Sequence, residues 1–433
     1  MENKATAATP AKRFLVTYAD SNLSQQAASA ILNVDNSGVQ SAEKIMATDA
    51  ILSENDVVHF DNLGISSLSL TDEQARKLEE HPEILAVEED KEMFALTDTI
   101  TEDYEEAITS AYQSGYTSAM YELFQKIVVP DTNGHRLKDP KFPNGPIIRK
   151  QPIPWNISMV KAPGAWAKGY TGKGVKVAVL DTGVAPHPDL VIAGGISFVP
   201  GVSSYNDGHG HGTHCCGVVG AKNNAIGVVG VAPDCTLYAV KVLSDAGSGP
   251  TSAILAGMAW AKNNGIKAVS MSLGSSSQPS VAYTTAIKQL NDAGVTVVCA
   301  SGNGYASTFP WVGSPGNSPG AIAVGAVDAQ SVIAYFSSRG GKPGVTLWNQ
   351  VTLVGPGVNV NSTYKNGGYT NMSGTSMATP HIAGAVALIK QRFPNYTPAQ
   401  VKALLQSSAT DLGPVGIDLT YGAGLLNCEK AVI

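Results

Sequence analysis

Apolar residues fall along this chain in three regimes, and each predicts a different kind of structure. From 12 to 96 they come in short periodic stretches. Residues 13–18 predict a strand, 23–32 a helix, and 57–60 and 64–70 two further strands, the second roughly alternating at Ile65, Leu68 and Leu70. Thr71-Asp72-Glu73-Gln74 has the capping-box pattern and opens a helix that stops before Pro82, and 84–87 closes the set. The order is β-α-β-β-α-β, a small α+β unit. Between 97 and 150 the pattern changes. Nine acidic residues against Lys91 alone fill 88–106, leading into Tyr104, Ile108, Tyr112, Tyr116, Met120 and Phe124, each four apart. That spacing predicts an amphipathic helix docked on another surface. A turn-rich basic stretch follows from 130 to 150, with Pro140, Pro143 and Pro146, of the kind that is open to nicking.

From 151 to 433 the apolar runs no longer alternate. The Val- and Ala-rich runs 175–180, 236–242, 268–272, 295–300 and 321–326 read as strands of a parallel sheet covered on both faces. Helical stretches at 252–264, ending at Asn263-Asn264-Gly265, and at 281–293, ending before Gly294, lie between them. This is βαβ winding, an α/β fold whose chemistry is expected at the strand C-termini.

Three glycine-rich motifs carry that chemistry. Asp181 follows the strand-like Val179-Leu180, His211 opens His-Gly-Thr-His, and Ser376 lies in Gly374-Thr375-Ser376-Met377-Ala378-Thr379-Pro380 ahead of a helical stretch to 389. A serine hydroxyl is a poor nucleophile until an imidazole accepts its proton, and a carboxylate must hold that imidazole in one tautomer. Singly, each motif has a plainer reading. An Asp after a strand is a turn residue, a Ser before a helix is an N-cap, and His209, His211 and His214 together suggest a metal site. Jointly, in the order Asp, His, Ser, they make one of the known arrangements of a catalytic triad.

On these motifs the chain resembles the subtilisin-like serine proteases, the subtilases, over essentially all of 151–433. The resemblance implies a three-layer α/β fold, a parallel sheet with helices on both faces. It also implies a serine endopeptidase with Asp181 orienting His211, His211 as general base and acid, and Ser376 as nucleophile. His209 is then expected to line the cleft. Val297-Val298-Cys299-Ala300-Ser301-Gly302-Asn303 resembles the family's oxyanion segment, making Asn303 and the Ser376 N–H the donors. Ser272-Leu273-Gly274 resembles the edge that pairs with extended substrate, and Ala300 and Gly302 match positions lining the primary pocket. Gly304 stands where many relatives have an acid, so a large apolar or aromatic residue before the cut bond is expected, and Thr251 stands where some have an aromatic rim, so the more distant pocket is expected to be loose. The stretch from Ala221 to Gly230 resembles a calcium loop. Matching ligands are the side chains of Gln151, Asp189 and Asn224 and the carbonyls of Lys222, Ile226 and Val228.

The N-terminal unit (1–96) resembles the family's inhibitory propeptide, although an unrelated ferredoxin-like module has the same element order. Such a propeptide normally joins the catalytic domain almost directly, so 97–150 departs from the pattern, and maturation near Leu96 or near Arg149–Lys150 is left open. A peptide ligase using the same acyl-enzyme, or a non-catalytic binding module, are the competing functions. The first lacks a long insertion between Asp181 and Ser376, and the second does not explain an intact triad.

Composition narrows the partners. A formal charge of −6 gives no basic footprint for nucleic acid, and no apolar run reaches the length of a membrane span. The expected partners are protein or peptide substrates and the chain's own propeptide, on a monomer. The start at Met1 lacks the apolar stretch of a secretory signal, so the chain is expected to be intracellular or to have lost its signal. Five cysteines cannot all pair, and Cys215 is expected to be a free, partly buried thiol.

Overall fold

The structure, a computed structural model, describes residues 12–34, 39–41, 57–60, 62–97, 151–307, 309–341 and 349–433. The helix expected at 104–124 and the turn-rich stretch at 130–150 lie outside them. The N-terminal unit runs β1 (Lys12–Tyr18), α1 (Gln25–Leu32), β2 (Val39–Ser41), β3 (Val57–Phe60), β4 (Ile65–Leu70), α2 (Asp72–Glu79) and β5 (Ile84–Glu89). Its sheet has the order β2-β3-β4-β1-β5, with β1 antiparallel to both neighbours. The edge strand β2 was not expected, since three residues carry no periodicity. The capping box at Thr71 and Gln74 is formed.

Strand alternation explains how this unit faces two ways. On β1, Phe14, Val16 and Tyr18 pack toward α1 and α2 with Ala28, Leu32 and Ala75. Leu15 turns the other way and joins Val58, Phe60 and Ile65 in a second apolar cluster. That cluster continues into the remainder of the chain, so β4 is almost wholly buried rather than half exposed.

Residues 151–433 give α3 (Trp155–Met159), α4 (Ala162–Ala167), β7 (Lys176–Asp181), β8 (Ile192–Ser197), α5 (His211–Gly220), β9 (Thr236–Lys241), β10 (Ser248–Pro250), α6 (Thr251–Asn263), β11 (Ala268–Met271), β12 (Leu273–Gly274), α7 (Val281–Asp292), β13 (Thr296–Ala300), β14 (Ile322–Val327), β15 (Leu353–Pro356), β16 (Val360–Thr363), β17 (Tyr369–Met372), α8 (Thr375–Arg392) and α9 (Pro398–Ser408). Seven strands form a parallel sheet in the order β15-β14-β13-β11-β7-β9-β8. Val177 and Val179 of β7 face the layer containing α5 and α8, while Ala178 and Leu180 face α6 and α7. Both faces are buried, which is why the strand sequences do not alternate. Among the described residues no helix is long and apolar enough to cross a membrane.

The two parts meet at α6 and α7. Leu15, Phe60 and Ile65 pack in one cluster with Ala253, Ala256 and Ile287, and the Lys262 ammonium donates to the Asn62 carbonyl at 2.7 Å. From β5 the chain enters β6 (Glu92–Ala95), which lies antiparallel between β10 and β12 as the middle of a separate three-stranded sheet.

Candidate active site

Three element ends converge where the motifs were found. Asp181 is the last residue of β7, His211 the first of α5, and Ser376 lies in the first turn of α8. The Asp181 Oδ1 lies 2.7 Å from His211 Nδ1 and also accepts from the Thr182 N–H at 2.7 Å. Both side chains are fully buried.

The Ser376 hydroxyl is turned elsewhere. It donates to the Ser272 carbonyl at 2.8 Å and accepts from the Leu96 N–H at 3.1 Å. His211 Nε2 has no hydrogen-bond partner among the described residues, so the expected Ser376–His211 bond is not made in this rotamer. Helix α8 carries Pro380 four residues after Ser376, and a proline has no N–H to return to the Ser376 carbonyl. That freed carbonyl instead accepts from Ser272 Oγ at 2.8 Å, with Cys215 Sγ at 3.6 Å.

Asn303 is fixed at both ends. Its Oδ1 accepts from Thr375 N–H at 2.9 Å and Thr375 Oγ1 at 2.8 Å, and its Nδ2 donates to the Leu96 carbonyl at 2.9 Å. Gly374 makes room for that carbonyl. Its φ is +150°, and a Cβ there would lie 2.4 Å from Leu96 O.

The strand leading to Leu96 is held on two edges. Ala95 pairs with Leu273 and Phe94 with Gly274, and Leu96 N–H lies 3.4 Å from Ser272 O. On the other side Phe94 pairs with Ser248, Met93 with Gly249, and Ala95 N–H donates to Gly247 O at 2.9 Å. Gly274 lies directly against the Leu96 side chain, since a Cβ there would be 3.0 Å from Leu96 Cδ1. Ala300 closes β13, and Gly302, at φ +112°, donates its N–H to Thr375 Oγ1 at 3.2 Å.

Sequence reasoning missed several of these groups. Gly247 and β10, the second edge, have no motif of their own. Asp207 is a buried carboxylate that accepts from Thr182 Oγ1, His209 N–H, Gly210 N–H, Thr213 N–H and Thr213 Oγ1 at 2.6–3.0 Å. It ties the start of α5, and so His211, to the residue beside Asp181. Its position ahead of a glycine-rich helix start was the available signal.

Among the described residues the neighbouring histidines are not grouped closely enough to share an ion. His214 is buried, contacts Val360 O at 2.8 Å, and is pushed down to about 3 by burial, so it is neutral. His209 is also shifted down, first by burial and then by His211, whose ring centroid lies 6.2 Å away. Among the described residues, the group near enough to share an ion is Asp181, His211 and Cys215, two of which already bond each other. All five cysteines are free and buried, and Cys215 is fully buried rather than partly so as expected. Burial pushes the Cys215 and Cys216 thiols well up and Cys235 to about 12, which leaves them protonated.

A second cluster lies beyond the far end of α5. The Gln151 Nε2 donates to Ile226 O at 2.6 Å and Val228 O at 2.5 Å, while its Oε1 accepts from Asn224 and Ala225 N–H groups. The Asp189 Oδ2 accepts from Val228 N–H and from the Tyr369 hydroxyl, both at 2.9 Å, and the Asp189 carbonyl takes the Lys222 N–H. Its Oδ1 is buried with no partner among the described residues. Two carbonyls converging on one amide, an orphaned carboxylate oxygen and the Asn224 amide make an oxygen-rich set that fits a hard cation.

Comparison with known proteins agrees with this architecture. A model of the subtilase family matches residues 172–424. The chain is 49% identical over 281 residues to subtilisin Savinase of Lederbergia lenta, covering 65% of this chain and 99% of that one. It is 49% identical to an alkaline protease of Shouchella clausii (65% and 70% covered), and 41% identical to a thermostable alkaline protease of Halalkalibacterium halodurans (76% and 89%). The chain belongs to the subtilase family. It is a subtilisin-like serine endopeptidase and acts on protein or peptide substrates.

Proposed function

We propose that this endopeptidase is made as a self-inhibited zymogen, with residues up to Leu96 as its inhibitory segment and Leu96–Thr97 as the first bond it cuts. The observation that carries the reading is the seat of Leu96. Its carbonyl accepts from Asn303 Nδ2 at 2.9 Å while Ser376 Oγ lies 3.1 Å from its N–H. This favours Leu96 over the alternative near Arg149–Lys150 as the first site.

In the reaction, Ser376 leaves the Ser272 carbonyl, turns to His211 Nε2 and adds to the Leu96 carbonyl carbon. His211 takes the hydroxyl proton and returns it to the departing Thr97 amine. Asp181 holds Nδ1–H and stabilises the imidazolium, while Asn303 and the Ser376 N–H take the oxyanion. Water then releases Leu96 as a carboxylate. The freed segment stays bound because β6 remains paired on both edges and the apolar cluster at α6 and α7 is intact. Other substrates enter the same two-edged groove, with a large apolar residue in the place of Leu96.

Calcium belongs to the same reading as a structural ion. Gln151, Asp189 and Asn224 would hold it with the carbonyls of Lys222, Ile226 and Val228. A half-turn of the Gln151 amide presents Oε1 where Nε2 now lies.

Intact mass of the wild type and of Ser376→Ala tests the proposal. The wild type is expected to lose residues 1–96 and Ser376→Ala to stay whole. A wild type that stays whole, or whose first new terminus is not Thr97, defeats it.

A further inference from the structure

Two fixed points of the chain lie on either side of 98–150. One is Leu96–Thr97 at Ser376. The other is Gln151, held by four hydrogen bonds in the loop 224–228. Both are in place in the same uncut chain, within one compact unit of 1–97 and 151–433.

The separation of the two points makes this informative. Helix α5 begins at His211 in the active site and ends at Gly220, just before the loop. Ten residues of helix span about 15 Å at 1.5 Å each. A chain covers at most about 3.5 Å per residue when extended. A segment that ran from the cut bond into Gln151 with only a residue or two between could therefore satisfy one point or the other, not both. Such a chain would have to be cut before Gln151 could dock. Here 53 residues of sequence intervene, which removes that constraint.

We propose that in this protein the calcium loop is complete, with Gln151 seated, before the Leu96–Thr97 bond is cut, so that cutting neither creates nor improves the metal site. The proposal rests on the zymogen and calcium readings above. It separates two events that a short junction would make successive: metal binding belongs to the folding of the zymogen, and the cut only frees the cleft. The ion then stabilises uncut and cut chains alike, because what it binds is the same in both. The product of the cut, 97–433, keeps Gln151 where it was.

The test compares calcium binding before and after the cut. Full-length Ser376→Ala supplies the uncut form, and wild type incubated until residues 1–96 are severed supplies the cut form. Both are stripped with chelator and titrated with Ca²⁺ by calorimetry, and melting temperature is followed alongside. Equal affinity and an equal gain in Tm are expected. Adding Gln151→Ala to Ser376→Ala is expected to weaken binding by at least about tenfold, the scale on which metal sites respond to loss of a supporting group. If Ser376→Ala binds calcium much more weakly than the cut chain, or is insensitive to Gln151→Ala, the inference is overturned while the calcium reading stands. If neither form binds calcium, both fall together. A wild type that is never cut removes the zymogen reading and the inference with it, even where calcium binds.

Discussion

Asn303 is a side chain whose usefulness depends on not moving. An asparagine amide can present either its nitrogen or its oxygen, and only the nitrogen serves a developing oxyanion. Thr375 decides the matter by giving Oδ1 two donors, its own N–H and hydroxyl, which leaves Nδ2 facing the Leu96 carbonyl. We expect Asn303→Gly in the mature enzyme to lower kcat by ~10²–10³ with little change in KM, a range that comes from subtilisin and not from this chain. Steady-state kinetics on an apolar peptide checks it, and unchanged turnover would remove Asn303 from the mechanism. Asp181, His211, Asn303 and Ser376 were readable because each sits in a short motif. Those that hold them were less so. Gly374 matters for a 2.4 Å approach, and Pro380 for a hydrogen bond it cannot make. Neither purpose is visible until the partner, Leu96 in one case and Ser272 in the other, is brought near by the fold.

At the scale of elements, β6 has no periodicity of its own that marks it as a strand, and only the family resemblance implies that a C-terminal strand of the N-terminal unit reaches the active site. Glu92-Met93-Phe94-Ala95 lies inside an acidic run and is a strand only because β10 and β12, far along the chain, offer it two edges. The acidic residues around it have a use as well. The Glu88 carboxylate accepts from Val281 N–H at 3.1 Å, Ala282 N–H at 2.7 Å and Ser280 Oγ at 3.2 Å, at the N-terminus of α7. Asp90 Oδ1 accepts from Ser252 N–H at 2.9 Å, at the N-terminus of α6. Helix N-termini favour such anions. Asp90 nevertheless loses so much water that burial raises its carboxyl above the ordinary value, with Glu92 adding to the shift and Ser252 and Arg13 opposing it. The sign follows from linkage. A group whose pKa is higher when docked contributes its share below the free value, and that share is lost as pH rises through the docked value. After the cut, the 1–96 segment is therefore expected to be held more tightly at mildly acid pH and to dissociate faster as pH rises. Measuring the release rate between pH 4 and 8, a range that begins at about the ordinary carboxylate value of ~3.9 and runs upward from it, checks this. Asp90→Asn should flatten the profile, and an unchanged slope would assign the pH dependence to other groups.

At the largest scale described, that of 1–97 and 151–433, α6 and α7 are covered on one side by the parallel sheet and on the other by the N-terminal unit. The parallel sheet was legible because its strands are buried on both faces and so read as unbroken apolar runs. The docking of the N-terminal unit was expected from the family resemblance alone and not from its own residues. Leu15, Phe60 and Ile65 read simply as core residues of a small domain, and nothing local says that their face closes onto another part of the chain. On the zymogen reading, that face is expected to set how long inhibition lasts once the covalent link is gone, because the cut would change one bond near Ser376 and leave the apolar contact intact. Phe60 is 1% exposed within this shared cluster. Truncating a buried phenylalanine typically costs ~3–5 kcal/mol, and here part of that loss falls on the docked state alone. Phe60→Ala is therefore expected to shorten the lag between the cut and the appearance of activity, while the cut itself proceeds at an unaltered rate, since the position of Leu96 is set by β6, β10 and β12. Circular dichroism of Phe60→Ala in the Ser376→Ala background establishes that the unit still folds. Intact mass then times the cut and peptide hydrolysis times the release. A lag as long as that of the wild type, in a folded variant, would mean that the edges of β6 alone hold the inhibitor in place.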